Sequence, residues 1–310
     1  MGDVKHEKLI IIGAGPAGYA AALYAARAEL NPLVITGTEL GGQAALTDRI
    51  ENYPGFPDGV GGSQLAELFQ KTAERFGARS EFDSAIEVDL SSRPFLVKTY
   101  SSEYLADALI VATGASPNLL GVPGELELRG KGVSYCATCD GWFFKNKGVV
   151  VVGGGDSALE EAIFLTRFAD HVTIIHRRSE LRAGAILQRR AKNNPKIQFI
   201  LDAVVKEIHG DQAVEAITIE HVKSKQQSQL KIHGVFIFVG HSPNTALFKG
   251  QLDIDELGYI KTNRRSQTNV KGLFVAGEAA DPFYRQVITS AGMGAAAAIE
   301  ATRLLESEEP

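Results

Sequence analysis

An α/β architecture of two βαβ domains, one inserted within the other, is predicted by three features of the 310-residue chain. A strand, glycine turn, helix and strand follow one another between Lys8 and Thr36. The same plan returns about 140 residues later, a duplication of architecture and not a short-period repeat. Between and beyond the copies lie Ser116-Pro117-Asn118 and Ser242-Pro243-Asn244, turn-rich crossings where a chain leaves one domain and returns to it.

The elements follow in order. Lys8 to Ile12 is a compact apolar strand, Tyr19 to Glu29 has alanine-rich helical spacing, and Pro32 to Thr36 is a second short strand. Leu109 to Val111 leads into Ala112-Thr113-Gly114, small residues that let a nucleotide approach the backbone. Gly148 to Val152, Ser157 to Phe168 and His171 to His176 form the second βαβ unit. Val235 to Val239 leads into Gly240 in the parallel position of that unit. Gly272 to Ala276 is a last apolar strand, before Gly277-Glu278 and a small-residue helix from about Thr289 to Leu305. The expected domains are 1–117 with 246–310, and an inserted 118–245.

Composition narrows the classes. A content of 45% hydrophobic and 22% charged residues suits a globular chain with room for two cores. A net charge of −5 speaks against a general nucleic-acid binder. No apolar run approaches the roughly 20 residues of a membrane span, and Met1 to Lys8 lacks the apolar core of a signal peptide. With two cysteines in all, no disulfide-stapled scaffold is possible, and a reducing cytoplasm is the expected compartment.

Gly13-Ala14-Gly15-Pro16-Ala17-Gly18 follows a strand and opens a helix, the context a dinucleotide fingerprint needs. Gly13 permits the tight turn, Gly15 lets a pyrophosphate approach, and Gly18 allows close helix–strand packing. The helix N-terminus favours the phosphate charge. Glu39, 21 residues beyond Gly18, is placed to bind a ribose. The second fingerprint, Gly153-Gly154-Gly155-Asp156-Ser157-Ala158, ends in alanine, an accepted variant. Eighteen residues on, where an acidic residue would select NAD, stands His176-Arg177-Arg178, with Arg182 close behind. Arginine forks suit the 2′-phosphate of NADP, so NADPH is the expected nucleotide.

Cys136-Ala137-Thr138-Cys139-Asp140-Gly141 lies between the fingerprints. Zinc would need about four ligands, and the nearest histidine, His171, is 32 residues from Cys139. No metal site is expected. Two inert thiols are the plain alternative. Asp140 adds a titratable neighbour that can protonate a departing thiolate, which favours a redox-active disulfide. A dithiol beside two nucleotide sites reads as electron transfer from a nicotinamide through a flavin to a disulfide.

On these motifs the chain resembles the low-molecular-weight, bacterial-type thioredoxin reductases over essentially its whole length. Further matching segments are Thr36-Gly37 through Gly41-Gly42-Gln43, Glu51 to Phe56, Ala112-Thr113-Gly114, Leu181-Arg182-Ala183, Gly240 to Asn244 and Tyr284-Arg285-Gln286. The Cys136 to Gly141 segment is highly specific to that family; the glycine motifs are shared with many flavoproteins. The resemblance implies two Rossmann-like (FAD/NAD(P)-binding) domains, with the NADPH domain inserted into the split FAD domain. It implies a homodimer acting on thioredoxin, whose inserted domain rotates between half-reactions. It further implies that Cys139 faces the flavin, Cys136 attacks the thioredoxin disulfide, and Asp140 is the acid/base.

Cofactor contacts are implied for Pro16, Ala17, Thr36, Gly37, Gly41, Gly42, Gln43, Asn52, Ala112, Thr113, Gly114, Gly277, Glu278, Arg285, Gln286 and Val287 around FAD. Asp156, Ser157 and Gly240 join the second fingerprint and basic cluster around NADPH. Two departures stand out. Glu278 takes the place of the family's usual aspartate, and Trp142 stands near the dithiol where a smaller residue is common. Alternatives on the same fold are a ferredoxin-linked flavin reductase and the reductase part of a peroxide-reducing system. The three arginines stand against the first, and the lack of an extra thioredoxin-like domain against the second. A non-catalytic redox sensor would have lost the dithiol or Asp140, and both are present.

Overall fold

A computed structural model describes residues 4–38, 40–47 and 49–308. The chain divides into two compact units, Met1–Ser116 with Ser242–Pro310, and Pro117–His241. The α-helices are α1 (Pro16–Arg27), α2 (Gly42–Ala45), α3 (Gly62–Glu74), α4 (Ala137–Asp140), α5 (Asp156–Leu165), α6 (Ala185–Lys192) and α7 (Val287–Glu308).

In the first unit Lys5–Ile12 lies between Leu33–Ile35 and Glu103–Val111, parallel to both, with Ile10 opposite Leu33 and Leu109. Arg79–Glu81 extends the sheet beyond Leu33–Ile35. Glu103–Val111 serves two partners. Its first half pairs antiparallel with Phe95–Thr99, and its second half pairs parallel with Leu273–Val275. Leu9 to Ile11 are fully buried, because both sheet faces are covered, which explains the unbroken apolar run. One cover is α1 against α7, whose contact is built of alanines such as Ala21, Ala25, Ala297 and Ala301. Their small side chains let the backbones close in: a Cβ on Gly294 would lie 2.0 Å from the Ala17 carbonyl oxygen.

The second unit repeats the plan. Its parallel sheet runs Ile197–Ile200, His171–Ile175, Gly148–Val152, Gly234–Ile237, Val133–Ser134. Ala203–Gly210, Val214–His221 and Gln227–Lys231 add an antiparallel layer. Val149 to Val151 are fully buried between α5 and that layer.

Element ends shift from the sequence expectations for local reasons. Helix α1 starts at Pro16, which suits the first helical turn where its missing N–H costs nothing. Residues 242–245, expected with the insert, group with the first unit. Thr113 Oγ1 donates to the Asn244 carbonyl at 2.7 Å, Asn244 Nδ2 returns a bond to the Thr113 carbonyl at 3.0 Å, and Thr245 Oγ1 donates to the Gly258 carbonyl at 2.6 Å.

Candidate functional site

The first cradle lies at the N-terminus of α1. Gly13 has φ +113°, and a Cβ there would meet the Ala112 carbonyl oxygen at 2.3 Å, so this turn excludes any side chain. A Cβ on Gly18 would lie 1.9 Å from the Gly13 carbonyl oxygen, which locks the helix against the loop. Gly15 differs. It caps the helix in an ordinary extended conformation, and a Cβ there would point into open space. That space, in front of free helix N–H groups, fits a diphosphate.

Other expected contacts gather around it. Gly41 N donates to the Ala14 carbonyl at 3.1 Å, and a Cβ on Gly42 would sit 3.6 Å from the Gly15 Cα. Gln43 follows Gly42 in α2. Thr36 is buried, with its hydroxyl on the Gly37 carbonyl. Glu39, expected at the ribose, lies outside the described residues. Ala112 is held by its N–H on the Ile12 carbonyl, and Gly114 takes a left-handed φ of +68° facing open space. Gly277 returns the chain to α1, where its Cβ would be 3.0 Å from that of Ala17. Asn52 Nδ2 donates to Gln286 Oε1 at 3.1 Å, joining residues 234 apart in sequence. Arg285 stands beside Gln286 with φ +50°, and Val287 begins α7.

The second cradle opens α5. Gly153 has φ +155° and packs on the Phe238 carbonyl and Ala158 Cβ, while Gly155, like Gly15, faces open space. The basic segment is stapled to this loop. Arg182 N and Ala183 N both donate to the Gly154 carbonyl, at 2.7 and 3.1 Å, and Asp156 Oδ1 accepts from Gly184 N at 2.7 Å. Arg177, Arg178 and Arg182 are exposed and, among the described residues, make no ion pair. Their guanidinium groups are available to a phosphate beside the loop. His176 is placed differently. It is buried, and its ring occupies the space a Cβ on Gly154 would need, 2.3 Å from Nδ1. Burial, helped by the three arginines, pushes its pKa down, so the ring is neutral near pH 7 and shapes the loop from beneath. Gly240 turns at φ +114° after Gly234–Ile237. Its carbonyl accepts from Asn118 N.

The dithiol lies toward the other end of α5. Cys136 and Cys139 are disulfide-bonded, with Cys136 capping the short helix α4. A Cβ on Gly141 would meet Leu165 and Phe168, which shows how closely the dithiol turn packs on that end. The ten residues of α5 put about 15 Å between its termini. The Cys136 sulfur accepts from Cys139 N at 3.2 Å and lies 3.3 Å from Thr138 Oγ1. Ser134, buried on its strand, donates its hydroxyl to Asp140 Oδ2 at 2.5 Å and receives the Cys136 N–H at 3.1 Å. Ser134 was not anticipated from the sequence. Its place two residues before the first cysteine is the only sign of it. Trp142 and Phe143, which follow Gly141, are 53% and 38% exposed.

Two dinucleotide cradles and a dithiol held beside a fixed carboxylate define a nucleotide-dependent disulfide oxidoreductase. Residues 7–298 match the pyridine nucleotide-disulphide oxidoreductase family. A thioredoxin reductase of Coxiella burnetii is 48% identical over 316 residues, covering 99% of each chain. The crystal structure of thioredoxin reductase from Streptococcus pyogenes superposes with a TM-score of 0.94 at 43% identity, covering 98% of this chain and 100% of that one. That of Lactococcus lactis, in its FR conformation, gives 0.66 at 39% identity, covering 97% and 99%. The chain belongs to the thioredoxin reductase family of pyridine nucleotide-disulphide oxidoreductases. It is a disulfide reductase, and its cofactors are FAD and NADPH. Among the described residues no helix is long and apolar enough to cross a membrane.

Proposed function

We propose that the enzyme carries electrons from NADPH, held by the second unit, through FAD, held by the first, to the Cys136–Cys139 disulfide and on to thioredoxin. The observation that carries this reading is the dithiol with Asp140 fixed beside it by Ser134. FAD, when bound, supplies two-electron transfer between the nicotinamide and the disulfide.

The chain's own groups account for the thiol chemistry. Two electrons break the Cys136–Cys139 bond and leave a thiolate and a thiol. Cys136 is the attacking residue, because the Cys139 N–H and Thr138 hydroxyl that contact its sulfur would stabilise a thiolate there. It attacks one sulfur of the partner's disulfide to give a mixed disulfide, and Asp140 supplies the proton to the leaving thiolate. Cys139, the flavin-facing residue, then attacks Cys136, restoring the internal disulfide and releasing the partner as a dithiol.

Rotation of the second unit would alternate the presentation of NADPH and of the dithiol. The S. pyogenes and L. lactis relatives support this, since their TM-scores differ widely at like identity and coverage. A homodimer is supported by Tyr24, Leu68 and Phe76, exposed apolar residues on or beside the adjoining helices α1 and α3. The proposed compartment is the cytoplasm, where a dithiol cycle of this kind can turn over.

The deciding experiment is steady-state NADPH oxidation with oxidised thioredoxin as acceptor, in wild type and in Cys139→Ser. Turnover in the wild type and none in the variant supports the proposal. Equal turnover in both would refute it.

A further inference from the structure

Cys136 lies between two residues that pack into different cores. Tyr135 joins Leu120 and Val122 against the cluster between the parallel sheet and the antiparallel layer, which includes Ile208 and Ile217. Ala137 is fully buried in the cluster that α5 shares with the other face of the sheet. The strand ladder gives this stretch little support. Val133–Ser134 is a two-residue strand at the edge of its sheet, and Ser134, opposite Phe236, is its last paired residue. Side chains therefore decide where the first cysteine sits.

The firmest of these anchors is a buried carboxylate. Glu125 is 1% exposed and accepts from Leu120 N at 3.0 Å, Gly121 N at 2.7 Å and the Tyr135 hydroxyl at 2.8 Å. A carboxylate is retained in such a place only where donors replace its hydration. Its loop is itself fastened to the antiparallel layer. Ile208 N donates to the Pro123 carbonyl at 3.0 Å, and a Cβ on Gly124 would lie 1.9 Å from the Ile208 carbonyl oxygen. The Arg129 guanidinium lies over the Tyr135 ring, 5.0 Å from its centre. The phenol is thus braced through Glu125 against a fixed layer, one residue before the reactive sulfur.

We propose that Tyr135 and Glu125 are positioning residues for the thiol step, holding Cys136 so that its sulfur stays within reach of the Cys139 N–H and the Thr138 hydroxyl. The inference rests on Cys136 being the attacking cysteine. Those contacts, at 3.2 and 3.3 Å, weaken steeply with distance and angle, so a small shift of the backbone loses them. Hydride transfer from NADPH to FAD uses neither contact, so the two half-reactions should respond differently.

The test compares the wild-type holoenzyme with Tyr135→Phe, which keeps the ring and removes the hydroxyl. Each is reduced anaerobically with NADPH and treated with iodoacetamide, and peptide mass analysis gives the labelling rate at each cysteine. In the wild type Cys136 should label faster than Cys139. In Tyr135→Phe the Cys136 rate should fall about three- to tenfold, the size of one lost hydrogen bond, and kcat with oxidised thioredoxin should fall alike. Flavin bleaching by NADPH should keep its wild-type rate. Glu125→Leu removes the acceptor at similar volume, and adding Tyr135→Phe to it should slow the thiol step no further, since the phenol acts through the carboxylate. Should Glu125→Leu fold poorly, Tyr135→Phe decides the point alone. A brace that served only stability would lower the melting temperature and leave the Cys136 labelling rate unchanged, and that result overturns the inference. Additive losses in the double variant overturn it too. A wild type labelled faster at Cys139 would overturn it together with the choice of attacking cysteine.

Discussion

Ser134 and Asp140 are joined by a 2.5 Å hydrogen bond from hydroxyl to carboxylate, and the same serine oxygen receives the Cys136 N–H. One buried residue thus fixes both the proposed acid/base and the first cysteine's backbone. Asp140→Asn should slow dithiol exchange with thioredoxin by about 10²–10⁴-fold, with flavin content unchanged. Ser134→Ala should keep the carboxylate but remove this hydrogen bond to it, slowing the same step by about 10–100-fold. Rapid-reaction assays of thioredoxin reduction across a pH series check both. Wild-type rates in Asp140→Asn would assign the proton to another group.

The two nearby glycines of the first loop should respond oppositely to substitution. Gly15→Val places its side chain in open space, so the folded protein should keep its melting temperature once stripped of cofactor but fail to hold FAD. Gly18→Ala must displace the Gly13 carbonyl, so it should cost about 1–3 kcal/mol of stability whether or not FAD is bound. Thermal unfolding with and without FAD separates the cases. Full flavin retention by Gly15→Val would show that the diphosphate lies elsewhere.

Arg177 and Arg178 set the nucleotide preference on this account. Each can make charge-assisted bonds to a 2′-phosphate, contributing about 1.5–3 kcal/mol apiece. Replacing both with alanine should shift the KM ratio of NADPH to NADH by about two to four powers of ten, allowing for non-additivity. NADH should lose little. Equal losses for both nucleotides would mean that the arginines support the unit's fold.

Stability at low pH should report the ion cluster that ties the end of α7 to the sheet. Arg93 grips both carboxylate oxygens of Glu308 at 3.0 and 2.9 Å, and Lys271 reaches the same group at 2.7 Å. These bonds hold Glu308 down at about 2. Because the folded value is depressed, the contribution is present above the unfolded value, near 4.5, and is lost as pH falls toward 2. The site is solvent-exposed, so Glu308→Gln should cost less than about 1 kcal/mol at pH 7. The gap to wild type should narrow in chemical denaturation at pH 3. A constant gap would mean that the carboxylate's charge is irrelevant.

What could be read from the sequence was what local spacing encodes. The glycine fingerprints, the second βαβ unit and the dithiol each occupy a dozen residues or so, where turn, helix start and side-chain role follow from adjacent residue types. Asn52 with Gln286, and Thr113 with Asn244, meet across 234 and 131 positions, and no spacing rule joins them. The position of His176 was legible but its direction was not. It follows a buried strand, so the chain turns its ring under Gly154 while Arg177 and Arg178 emerge. Glu278 was visible as a residue, yet its half-buried place on the turn that meets Ala17 is a property of packing alone.

The central claim is that electrons from NADPH reach the disulfide by way of the flavin. The direct measurement is anaerobic incubation of the holoenzyme with NADPH, then thiol alkylation and intact mass analysis. Since Cys136 and Cys139 are the chain's only cysteines and are paired, every added group reports that bond opening. The account predicts two added groups after NADPH, none without it, and none in flavin-free Gly15→Val. Flavin that bleaches while no thiol becomes alkylated would contradict it.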